Sequence, residues 1–293
     1  MSQLNMTAGF YFVAFVDLLG QREKLSQFKG VPRTNEDKDA FFQAMSETGA
    51  VVRNVRTSVA EWLANNKHVS EDALANLPPE RRDEFTNVRT LEAFQTGFSD
   101  CFTVAFPLQV DGVDERLSRA RAVVDAWNAL LGLSALSLLS LAQGIPWRAG
   151  VDVGIGVEIL PNEVYGPALL SAYTLESRMA EYPRILVGRG LVDYLNFIEH
   201  LSPAEPLDAY AARMATRSKE FICTSDDGWP MLHMLSPAVL KASANLVAAK
   251  REAHQWVREQ HAQFWSRNDE KLYRRYARLS HYFDAFAATP ETS

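Results

Sequence analysis

The chain has 293 residues, 47% of them hydrophobic, with 36 acidic and 30 basic side chains and a net charge of −6. That is enough apolar material for one large domain, or a domain with an appendage. The acidic balance argues against a general nucleic-acid binder, whose surface is normally basic. Only Cys101 and Cys223 are present, so no disulfide framework is implied, and a reducing cytoplasm is the expected compartment.

The N-terminal MSQLNMTAGF lacks the basic-then-apolar character of a secretory signal. Residues 9–17 (GFYFVAFVD) read as a buried strand, with a turn at Leu18–Leu19–Gly20. Phe41, Met45, Val52, Val55, Val59 and Trp62 recur at helical spacing over 37–64. Residues 66–88 are polar, contain Pro78–Pro79, and read as a loop or an edge insertion. Two strands follow near 91–96 and 101–106, joined by TGFSD, which sets Asp100 at a hairpin tip. Residues 114–142 form a long helix. Its apolar half, 129–142, is too short to span a bilayer and continues a charged segment, so a buried helix and no membrane association are expected. A glycine-containing strand (147–159), a helix with Pro167 near its start (167–181) and a short strand (184–188) come next. Gly150, Gly154 and Gly156 make no dinucleotide fingerprint, because they open no helix in the required way.

This succession is an elaborated ferredoxin-like βαββαβ core of the α/β (α+β) class. Beyond Pro237 the pattern is helical to 286, broken at SRND. The division expected is a main domain over 1–235 and a C-terminal helical appendage, 236–293, packed on it. His254 and His261 share a helix face without a third ligand and read as packing or surface residues. The run KLYRRYARLSHY reads as an amphipathic helix with a packing stripe of aromatics.

Two aspartates carry the chemistry. Asp17 ends an apolar strand and Asp100 caps an apolar hairpin. Taken singly, the first suits a helix cap and the second an ordinary turn. Brought together, they would grip paired divalent metals of the kind that serve phosphoryl chemistry.

Four segments in register resemble the class III nucleotidyl cyclases over roughly 9–190. AFVDLLG resembles their first metal motif and FSDCFTVAF their second. WRAGVDVGIG resembles their Arg-x-Gly strand, and VYGPALLSAYTLESRMAEYPRILVG their nucleotide-orienting helix with the strand after it. The resemblance implies that Asp17, the Leu18 carbonyl and Asp100 hold two Mg²⁺ or Mn²⁺ ions. It implies that Gly20 and Gln21 lend backbone N–H groups to the phosphates at a helix start. It also implies a homodimer in which each active site draws on both chains.

The sequence departs from the family pattern at informative places. Leu170 stands where the family has Asn and Thr174 where it has Arg, while Arg178, one helical turn on, offers a replacement cation. The base-reading Lys and Asp are Thr96 and Glu163. The extra bulk of Leu170 and Tyr173 suits a pyrimidine, as in the uridylate and cytidylate cyclases of Pycsar antiphage defence. Glu163 suits uracil and cytosine alike; the overall resemblance, not these residues, implies UTP as substrate, with CTP second, and as product a cyclic mononucleotide read by a separate effector. Two alternatives stay open: an ATP or GTP cyclase with divergent base readers, or a degenerate cyclase-like domain that senses nucleotide without turnover. Arg148 reads as structural.

Overall fold

A computed structural model describes residues 8–65, 74–75, 77–87, 92–109 and 112–286. The chain runs β1 (Ala8–Leu18), α1 (Gln21–Ser26), α2 (Asn35–Asn65), α3 (Pro79–Asn87), β2 (Phe94–Phe98), β3 (Cys101–Pro107), α4 (Glu115–Ala142), β4 (Trp147–Leu160), β5 (Glu163–Tyr165) and α5 (Pro167–Thr174). It continues with β6 (Ile185–Val187), α6 (Arg189–Glu199), α7 (Pro206–Lys219), β7 (Ile222–Thr224), β8 (Pro230–Leu232), α8 (Pro237–Leu240), α9 (Ala244–Ser266) and α10 (Glu270–Ala285). The sheet order is β2-β3-β1-β4-β6-β8-β7, with β5 hairpinned onto β4. The β2-β3-β1-β4 portion is antiparallel throughout, which is the βαββαβ arrangement expected from the order of elements.

Alternation along β1 decides what covers each face of the sheet. Phe12, Ala14, Val16 and Leu18 point into the main core with α4, Val55 and Val59 of α2, and Leu246 to Val257 of α9. Tyr11 and Val13 point the other way, into a smaller cluster with Ala168 and Ala172 of α5, and Phe15 packs at its margin. Period-two alternation puts Asp17 on this second face.

α4 is long and apolar enough to cross a membrane by length and composition, yet 78% of its most apolar window is buried inside the protein. Asp114 caps its start by accepting from the Arg116 and Leu117 amides.

Two expectations need correction. Within the segment read as a loop or insertion, residues 79–87 form α3. Its buried Phe85 sets an edge against Tyr210 and lies under the Arg121 guanidinium, so one aromatic anchors an otherwise polar segment; residues 66–73 fall outside the described residues. The helix expected over 167–181 is regular only to Thr174, then widens into a π turn over Leu175–Met179, closed by Ala180 N–H donating to Leu175 O at 2.8 Å.

Gly150 explains how this helix sits so close to the sheet. A Cβ there would come within 2.2 Å of the Ala172 carbonyl oxygen and 2.9 Å of the Glu176 nitrogen. β4 and the helix touch backbone to backbone.

The C-terminal helices join the rest through α9 on α4, through the Tyr282 hydroxyl beside His233 and through a cluster of arginines on one tyrosine. The guanidinium groups of Arg184 and Arg278 both lie over the Tyr182 ring, 4.4 and 4.8 Å from its centroid. Arg184 is buried and pairs with Asp227, and Arg278 reaches Asp226, Asp227 and Glu181. His254 stacks on Phe283 and His261 on Tyr273, both as packing partners.

Candidate active site

The end of β1 and the tip of the β2–β3 hairpin form one structure. Asp17 is the register partner of Cys101 on β3 and of Arg148 on β4. The Leu18 amide donates to the Asp100 carbonyl at 3.1 Å, and Ser99 adopts φ 57° to turn the hairpin. Strand pairing therefore brings two distant segments together, and ligand atoms of Asp17, Asp100 and Cys101 all lie within 4.8 Å of one another.

Asp17 is 17% exposed at its side chain and heavily contacted. Its Oδ2 accepts from Arg148 Nη2 at 2.9 Å and Nε at 3.1 Å, and its Oδ1 accepts from the Cys101 thiol at 3.3 Å. Arg148 also meets Glu176, whose Oε1 lies 2.8 Å from Nε but off the direction a hydrogen bond needs, leaving that buried oxygen without a donor. One guanidinium thus serves two carboxylates.

Burial first, then Asp17 beside it against the pull of Arg148, pushes the Glu176 carboxyl up to about 7. Burial, followed by Asp17, pushes the Cys101 thiol up to about 12, so the sulfur stays protonated at neutral pH.

The donor chemistry fits a hard divalent cation. Asp17 and Asp100 offer carboxylate oxygens, which suit Mg²⁺ or Mn²⁺. Cys101 is the third member of the group, and a hard cation takes the two carboxylates in preference to its sulfur. Glu176 stands beside this group on the same guanidinium, its Oε1 without a hydrogen-bond donor.

The other residues singled out from the sequence fall around this centre. Gly20, at φ 85°, turns the chain into α1, which is only six residues long, and Gln21 is buried there. Thr96 is the register partner of Thr103, and its hydroxyl donates at 2.9 Å to the carbonyl of Asn162, the neighbour of Glu163. The two candidate base readers therefore come from one corner, where the β4–β5 turn meets β2.

Leu170 and Tyr173 are 64% and 47% exposed. Together with Phe15 and Tyr165 they line a cavity of about 870 Å³, in which Tyr173 sets its edge against Phe15 at 5.2 Å. Thr174 also lines it, but its hydroxyl donates to the Leu170 carbonyl within the helix. Arg178 projects from the π turn into solvent and has no acidic partner among the described residues.

The sequence reading took Arg148 as structural without its partner and did not single out Glu176. Arg148 opens β4 opposite the residue that ends β1, so an antiparallel β1–β4 pairing would have revealed it. Glu176 carried no signal, because only the wide turn swings it under Asp17.

No family model and no curated protein matches the sequence. Among solved structures the chain is similar to the adenylyl cyclase CyaB from P. aeruginosa, at 14% identity over 78% of this chain and 96% of that one, with a TM-score of 0.38. It is also similar to the guanylyl cyclase Cya2, at 13% identity over 65% of this chain and 78% of that one, with a TM-score of 0.30. Function has to be read from the site itself.

Proposed function

We propose that the protein is a metal-dependent nucleotidyl cyclase that converts a pyrimidine triphosphate, UTP before CTP, into a 3′,5′-cyclic mononucleotide and pyrophosphate. The observation that carries this reading is the convergence of Asp17 and Asp100, with ligand atoms within 4.8 Å, on an antiparallel pair of a βαββαβ sheet. The four motifs in register add the class III character.

Asp17 and Asp100, with the Leu18 carbonyl, would hold two Mg²⁺ or Mn²⁺ ions. Such a pair would supply activation of the ribose 3′-hydroxyl and neutralisation of the triphosphate charge. The 3′-oxygen bonds to the α-phosphorus, the α–β bridging bond breaks, pyrophosphate leaves and the hydroxyl proton passes to solvent. The side chains contribute positioning and charge. Arg148 orients Asp17, and Arg178 supplies the cation for charge developing at the transferring phosphorus. Gly20 and Gln21 approach the phosphates through their backbone. Thr96 and Glu163 read the base, and Leu170 and Tyr173 narrow its pocket.

The homodimeric arrangement is part of the same proposal. The solvent-facing Arg178 and the half-exposed Leu170 and Tyr173 favour a second copy completing each site. The product would act on a separate effector in antiviral defence.

The test is chromatographic product analysis after incubation with each of the four ribonucleoside triphosphates and Mn²⁺. A cyclic pyrimidine product is expected. A cyclic purine product would leave the reaction class and overturn the base assignment. One observation favours a second reading, a nucleotide sensor without turnover: the Thr174 hydroxyl is engaged with its own helix. Nucleotide binding without pyrophosphate release, under every metal and nucleotide, would select it.

A further inference from the structure

A second cavity, about 980 Å³, lies between α1, the stretch of α2 from Met45 to Ala60 and the β2–β3 hairpin. It is on the other side of the sheet from the candidate base readers. Thr96 pairs with Thr103, whereas Gly97 pairs with Phe102, which faces the main core, and successive strand residues point to opposite faces. The guanidinium of Arg56 is seated on Gly97: a Cβ there would come within 2.2 Å of Nη1. The glycine leaves room for the arginine.

Arg56 and Arg53, one turn apart on α2, line this cavity and have no acidic partner among the described residues. Leu25, Met45 and Val52 supply an apolar wall. Gln21, only 6% exposed, also lines the cavity, and its Oε1 has no hydrogen-bond partner. Its Nε2 donates to the Leu19 carbonyl at 3.5 Å, so the anion-binding charge comes from the two arginines alone. Volume, apolar wall and two cations together suit a small organic molecule with one anionic end.

We propose that this cavity is a regulatory site for a small organic anion, an acidic group on an apolar body, held by Arg53 and Arg56. Its rim is shared with the candidate active site: Asp100 and Ser99 belong to the hairpin tip, and Gln21 follows the β1 turn. An occupant braces α1 against the hairpin and so fixes the spacing of Asp100 from Asp17. The regulatory half of the proposal rests on the cyclase reading; the binding half does not.

The probe is 8-anilinonaphthalene-1-sulfonate, an aromatic body with one sulfonate, titrated by fluorescence and calorimetry on the full chain. A saturable site is expected. Arg53→Gln/Arg56→Gln should weaken it about tenfold or more, the order expected when charge-assisted hydrogen bonds are lost. Gly97→Ala, which dislodges Arg56 while its fold is checked by circular dichroism, should do the same. Tyr173→Ala, on the opposite face, should leave it unchanged. The uncharged N-phenyl-1-naphthylamine should bind more weakly than the sulfonate. Equal affinity in the double arginine variant, or for the neutral analogue, overturns the anion site. Arginine-dependent binding that leaves wild-type turnover unchanged overturns the regulatory role. If no nucleotide is turned over at all, the cyclase reading fails, while arginine-dependent binding would still establish the site.

Discussion

Asp17 and Arg148 are register partners on β1 and β4, and their side chains meet with Nη2 and Nε at 2.9 and 3.1 Å from one carboxylate oxygen. The guanidinium also neutralises Glu176, so its removal leaves two carboxylates facing each other. Arg148→Gln should lower stability by about 1–3 kcal/mol, less than a fully buried pair because the site is partly solvated. Mn²⁺ should recover more of the melting temperature in this variant than it adds to wild type. Equal metal shifts in thermal unfolding would separate Arg148 from the proposed cation site.

Asp17→Ala should abolish Mn²⁺-dependent turnover with the fold retained. Arg178→Ala should cut turnover by about a hundredfold or more, the scale of losing one transition-state donor. Mixing the two variants should restore activity, because each dimer then carries one intact composite site. Verified heterodimers with no recovered turnover would reject the shared-site geometry.

Gly150→Ala forces a methyl group into the Ala172 carbonyl and the Glu176 amide, both backbone and neither free to swing away. A loss of about 1–3 kcal/mol or more is expected in urea unfolding. At Gly97 the obstructing atoms are the end of a flexible arginine, so Ala there should cost far less.

His233 gives the C-terminal region a pH dependence. Its Nδ1 lies 2.8 Å from the Tyr282 hydroxyl, and burial first and Lys250 second push the imidazole down to about 4. The ordinary value is 6.5. Between those values the unfolded chain takes up a proton that the folded one refuses. The stability linked to this group is therefore complete above about 6.5 and is lost as pH falls towards 4. Melting temperatures measured across that interval should fall with acid, and His233→Gln should flatten that part of the curve.

The βαββαβ order was legible because each strand carries its own apolar run between turn signals. Asp17 and Asp100 stood out because carboxylates in such runs are costly without a cation. What stayed hidden came from pairing and backbone shape. Arg148 acquires meaning only once β1 lies beside β4, and Glu176 only once the helix loosens after Thr174. The segment 79–87 read as polar because a single buried aromatic, Phe85, carries its attachment, which gives no periodicity. Gly150 and Gly97 looked like generic strand glycines, yet one admits a helix backbone and the other an arginine.

The contact of both Arg184 and Arg278 with the Tyr182 ring has a practical result for anyone trimming this molecule. Cutting the chain before Arg278 would strip one cation from Asp226, Asp227 and the Tyr182 ring and, with Tyr282 gone, open His233 to water. Since Tyr182 lies three residues past the turn that bears Arg178, α10 works as a buttress for that turn, and a shortened version should hold it more slackly.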